Sequence, residues 1–159
     1  MSGITATDVE AADRFPFRAR VVLVVLVTIE LLGALLVAVA PAPADVQLTL
    51  LVLLGLNLAF TVWLWNGLGD GTVWARPVVI LTLWLMALTG IVDTIVAFAE
   101  GRINIPIGTL LALWALAAPA GPFRIPEIGA DRTRAIAGCL AALALFLVPP
   151  VLGSLMFRS

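Results

Sequence analysis

The sequence predicts an all-α fold, a polytopic integral membrane protein built as a five-helix transmembrane bundle. Three observations predict it. The 159 residues are 62% hydrophobic and 12% charged, where a soluble domain is about 45–50% apolar and about 25% charged. Mean hydropathy is +1.15. Five apolar stretches, near 21–40, 46–65, 77–99, 103–118 and 135–157, are joined by short connections. The length suits one domain, with residues 21–157 as a single helical unit after a tail of residues 1–20.

Residues 1–20 begin polar, with Asp8, Glu10 and Asp13, and end basic, with Arg14, Arg18 and Arg20. They read as a flexible or interfacial tail, with Phe15 and Phe17 resting at the headgroups beside Pro16. The first span, VVLVVLVTIELLGALLVAVA, is apolar except for Thr28 and Glu30. A helix of about 20 residues rises about 30 Å, the thickness of a bilayer's hydrocarbon core. A secretory signal has a shorter apolar core, about 7–15 residues. This stretch is longer and holds an acid, so it reads as a span.

The linker PAPAD, residues 41–45, makes the first two spans antiparallel neighbours. Pro77 suits a first helical turn and disfavours helix at Arg76, which places the third start there. The fourth stretch, residues 103–118, rises only about 24 Å. Four spans plus a re-entrant segment at 103–118 is therefore the alternative architecture. In the fifth, Pro149 and Pro150 kink the helix or interrupt it. The chain ends two residues past that stretch, which reads either as a complete protein or as a longer one cut at a boundary.

Arginine counts separate the two architectures. With five crossings and a cytoplasmic N-terminus, the inside holds Arg14, Arg18, Arg20, Arg76, Arg124, Arg132 and Arg134, and the outside holds Arg102 and Arg158. Without a fourth crossing, the whole region 100–134 lies outside and carries four arginines. The positive-inside rule favours five crossings in a cell membrane, N-terminus cytoplasmic and C-terminus outside. Trp63, Trp65 and Trp74 then fall at the cytoplasmic interface, where aromatic residues are enriched.

Absences exclude much chemistry. There is no His, Lys or Tyr, and Cys139 is the single cysteine. That removes the usual zinc sites, His-ligated haem and intrachain disulfides. It also removes Schiff-base lysines and any Ser-His-Asp or Cys-His catalytic group. No cofactor and no metal are expected, and no enzymatic activity. A net charge of −1 leaves no basic stripe for nucleic acid.

Counting rise per residue puts Glu30 and Asn57 near the midplane and Asp93 in the outer half. Thr89 and Gly90 lie one turn below Asp93 and Ala97 one turn above, a small polar stripe that favours close helix approach. A midplane acid costs about 2.5–3.5 kcal/mol on insertion scales. Glu30 is therefore either protonated and hydrogen-bonded to Asn57, Thr61 or a carbonyl, or ionised in a wet cavity as a proton or cation site with Asp93 on the path. The loop from Asn66 to Thr72, with Gly67, Gly69 and Gly71, reads as a tight interhelical turn, with a lipid-headgroup contact at Arg76 as the functional alternative. The loop 119–134 carries Phe123, Arg124, Ile125 and Ile128 among charges, an interfacial segment or a docking surface for an anionic lipid or a cytoplasmic partner. Asp131 is a cap candidate for the last helix. Ala135, Gly138, Cys139, Ala141 and Ala142 form a small-residue face, for packing within the bundle or against another subunit.

Three functional expectations follow. The first is a non-catalytic structural, accessory or assembly subunit, with the lipid bilayer, other membrane subunits or a second copy as partners. The second is a small proton- or cation-coupled transporter using Glu30, with Asn57 and Asp93. The third is a site for a lipophilic ligand lined by Trp84 and Trp114 near Glu30.

Overall fold

Five α-helices organise the described residues: α1 (Ala6–Val39), α2 (Ala44–Gly69), α3 (Ala75–Ala99), α4 (Ile107–Leu116) and α5 (Ala130–Met156). The computed structural model describes residues 6–39, 41, 43–103, 106–118, 125–126 and 129–156, with side chains described from 14 to 147 within those ranges. Among the described residues, three helical segments are long and apolar enough to cross a membrane: Arg14–Val39, Ala44–Gly69 and Ala75–Ala99.

The helix of the first span starts well before its apolar run. Residues read as a tail are helical from Ala6 onward, and the helix continues through Pro16. A proline inside a helix removes one backbone bond and crowds the preceding turn. Packing outweighs that cost: Phe15, Ala19, Val22 and Leu23 are all buried. Their spacing, i, i+4, i+7 and i+8, is one helical face. Phe15 is 0% exposed and belongs to the core, not to the headgroups, whereas Phe17 is 67% exposed. The guanidinium of Arg76 lies 5.8 Å from the centroid of the Phe15 ring.

The glycine loop is a helix stop. Thr72 N donates to Gly67 O at 3.1 Å, and Gly71 N to Leu68 O at 3.3 Å. Gly71 has φ +65°. This is the Schellman pattern, in which a left-handed glycine lets the last carbonyls find donors. The same pattern ends α3, where Arg102 N donates to Ala97 O and Gly101 N to Phe98 O, with Gly101 at φ +69°. Trp74 leaves the first turn and stacks on Trp63, with centroids 4.1 Å apart. A Cβ on Gly67 would stand 2.6 Å from the Trp74 ring, so only glycine admits that ring.

The fourth stretch is shorter as a helix than its apolar length suggests. The sixteen-residue span expected over 103–118 contains ten helical residues, Ile107–Leu116. They rise about 15 Å, half a hydrocarbon core. Pro106 stands at the N-cap, and Arg102 and Ile103 are outside any helix. The fifth helix runs through Pro149 and Pro150 to Met156, so the pair does not interrupt it. Asp131 sits in its first turn, where a carboxylate favours the positive end of the helix.

The core lies towards one end. Leu64 and Leu68 of α2, Trp74, and Ala75, Val78, Val79 and Leu83 of α3 close over the buried face of α1. Ala112 and Ala115 of α4 and Ala135 of α5 complete it. This end also carries Arg14, Arg18, Arg20, Arg76, Arg132 and Arg134. The small-residue face of α5 packs within the chain: Ala135 and Ala142 are fully buried, and Gly138 meets Val78 and Trp63.

Candidate functional site

Glu30 lies on α1 where it faces α2, and only 6% of it is exposed. Asn57 and Thr61 are one turn apart on α2 and so share a face. Asn57 Nδ2 donates to Glu30 Oε1 at 2.6 Å. Thr61 Oγ1 lies 3.4 Å from the same oxygen and 3.0 Å from Asn57 O. A hydroxyl has one proton to give. Donated along the shorter contact, to Asn57 O, it leaves Thr61 lone pairs facing the carboxyl. Glu30 Oε2 is buried with no partner. The arrangement is a three-residue polar clasp between α1 and α2.

Asp93 belongs to a different interface. It is exposed on α3 and lines a recess of about 390 Å3 with Val96, Ala97, Arg102 and Ile103. A smaller recess of about 160 Å3 continues past it to Thr89, Gly90 and Thr109. Thr109 Oγ1, in the floor, is buried against Gly90 and has no hydrogen-bond partner. The stripe of small residues around Asp93 is therefore where α4 approaches α3. Arg102 pairs with Glu100, not with Asp93. Asp93 and Glu30 thus face different helix pairs, and no hydrogen bond joins the two groups.

Asn57 also forms part of a lateral cleft. Leu50, Leu53, Leu54 and Leu56 of α2 face Ala144 and Leu145 of α5 across about 380 Å3 of apolar space. Trp84 and Trp114 do not line it. Both are partly exposed, and Trp114 lies beneath Arg18, whose guanidinium is 4.9 Å from its ring centroid. Arg18 is twelve positions before Glu30 on α1, about 18 Å along the axis. The Trp114 ring thus stands away from Glu30 and does not line a ligand site there. Arg76 is exposed beside Phe15. Arg124, Phe123 and Ile128 lie outside the described residues.

Two arginines do more than sequence reasoning assigns them. Counting charge treats Arg18 and Arg20 only as determinants of topology. In the structure Arg18 Nη1 donates to Trp114 O at 2.9 Å, and Arg20 Nη2 to Leu68 O at 2.7 Å. Trp114 and Leu68 stand in the last turns of α4 and α2, where carbonyls lack helical partners and the dipole is negative. One turn of α1 thus caps the ends of two other helices. The signal available in sequence is an Arg-x-Arg pair beside an apolar span, which does not say which helix end it meets.

Among the described residues, no three His, Cys, Asp or Glu side chains come together as a metal set. Fold and site together define an all-helical bundle in which α1, α2 and α3 are long and apolar enough to cross a membrane and whose polar groups join helix pairs. Compared with known proteins, the chain matches no family model, no curated protein and no solved structure.

Proposed function

We propose that this chain is a non-catalytic integral membrane protein, an accessory or assembly subunit of a membrane complex. In this reading it crosses five times, N-terminus cytoplasmic and C-terminus outside. The arginine asymmetry supports that topology. The ten residues of α4 cover half of the fourth crossing.

The observation that carries the reading is the Glu30 clasp. The one acid deep in the first span is engaged by Asn57 and Thr61 of the neighbouring helix. A coupled carrier needs its ionisable groups to face a shared water-filled route. Asp93 stands at a different interface. The open cleft between α2 and α5 supports the subunit reading, because it offers an apolar bed to a helix of a neighbouring chain. Blue native electrophoresis in gentle detergents should show one discrete assembly larger than the monomer. A lone monomer in every gentle detergent would overturn the reading.

One observation favours the proton-coupled alternative: Glu30 Oε2 is buried and unpaired. That reading requires pH-dependent flux in liposomes that Glu30→Gln abolishes. We expect no such flux from the wild type, and a Glu30→Gln protein that assembles as the wild type does.

A further inference from the structure

Arg20 has a second role to explain. Its Nη2 is held by Leu68 O, while Nε is buried with no partner. A buried unpaired donor is costly, and a charged one more so. The Leu68 bond holds the guanidinium in one place and leaves its other donors without an acceptor. Beside it runs a groove of about 380 Å3 between α1 and α2, lined by Phe17, Arg20, Val21, Val24, Val25 and Trp65. The volume lies within the range of ligand clefts, about 300–1,000 Å3.

The order of these residues along α1 is informative. Phe17 precedes Arg20 by three positions, and Val24 follows it by four, so the three share one helix face. Going up that face, the wall is aromatic, then cationic, then purely aliphatic. Trp65, partly exposed, closes it from α2. No carboxylate lines the groove. A ligand that fits has an anionic head, an interfacial neck and an aliphatic tail directed away from the charge.

We infer that this groove is a binding site for an anionic phospholipid, its phosphate on Arg20, its acyl chain along Val21, Val24 and Val25, and its glycerol region beside Trp65. The inference rests on the membrane reading above, with the arginine-rich end in the cytoplasmic leaflet. There the surface is anionic and aromatic belts sit at headgroup depth. The lipid phosphate pairs with the part of the Arg20 guanidinium that lines the groove, and the acyl chain covers the seam between α1 and α2.

The test uses the full chain purified in detergent and offered equal amounts of phosphatidylglycerol and phosphatidylcholine, with retained lipid counted by native mass spectrometry. About fivefold preference for phosphatidylglycerol is expected, the ratio set by one basic residue at an anionic surface. Arg20→Gln should abolish the preference. Because that change also removes the cap on α2, Val24→Trp provides an independent arm. Val24 is 48% exposed, so filling the groove there leaves the core untouched. It should lower retention while leaving the charge in place. Arg134→Gln removes an exposed arginine from α5 at the same end and should keep the preference. Equal retention of both lipids by the wild type would sink the site, as would equal loss in Arg134→Gln and Arg20→Gln. Failure to retain either lipid, together with release from membranes by alkaline carbonate, would overturn the membrane reading itself.

Discussion

The arginine-rich half of the bundle and the half beyond Glu30 are similarly apolar in sequence, yet they pack differently. In the first, Phe15, Leu23, Leu64, Val78, Val79 and Leu83 are fully or almost fully buried, and Trp63 stacks on Trp74. In the second, Leu35 and Leu36 of α1, Leu48 of α2 and Ile95 and Phe98 of α3 are all exposed. There α1 and α2 stay paired through the Glu30 clasp and through Gln47 Nε2 donating to Val37 O at 3.3 Å. Hydrocarbon is as apolar as leucine, so aliphatic side chains gain little by leaving lipid for each other. What joins helices in such a solvent is close approach at small residues, aromatic fit and hydrogen bonds. The first half has all three; the second has hydrogen bonds and the close approach of α4 to α3 at Gly90, without the aromatic fit.

The largest test of this contrast is Trp74→Ala. It empties a buried aromatic site and unstacks Trp63, and should cost about 3 kcal/mol or more of unfolding free energy, read from detergent-phase unfolding. Next is Gly67→Leu, whose side chain would collide with Trp74 and Ala75. Overpacking of that kind costs about 1–3 kcal/mol. A Gly67→Leu protein as stable as wild type would show that the tight half tolerates opening. Smaller again is Glu30→Leu, which strands the Asn57 amide. Intramembrane hydrogen bonds average about 0.6 kcal/mol and reach about 1.7, so the loss should fall in that interval, and Glu30→Gln should recover most of it. Smallest is Leu35→Ala in the loosely packed half, expected within about 0.5 kcal/mol of wild type. If Leu35→Ala proves as harmful as Trp74→Ala, the two halves do not differ and the contrast fails.

Legibility followed how local each signal is. The third helix was readable because Pro77 marks its first turn, whereas the second was found but placed short, ending at residue 65 where the helix runs on through Asn66 to Gly69. The start of α1 was not readable, because charges and Pro16 argue against helix and only the burial of Phe15 outweighs them. The length of α4 was not readable either, because an apolar run of sixteen residues does not say how many of them form the helix, here Ile107–Leu116. Counting rise put Glu30 and Asn57 at one depth. It could not say that their side chains meet, nor that Asp93 faces another helix.

By itself the sequence determined that the chain is all helical, where most of its helices lie and which end collects arginine. Those follow from composition, from length and from prolines and glycines acting on their own neighbours. Only the tertiary structure decided that Arg18 and Arg20 cap α4 and α2, that Glu30 clasps Asn57, and that one half of the bundle is tight while the other is open. A helix that is apolar all round carries no stripe to say which face turns inward. That choice is made by a few small, aromatic and polar side chains, and their partners lie about 30 to about 100 positions away, as Glu30–Asn57 and Arg18–Trp114 do.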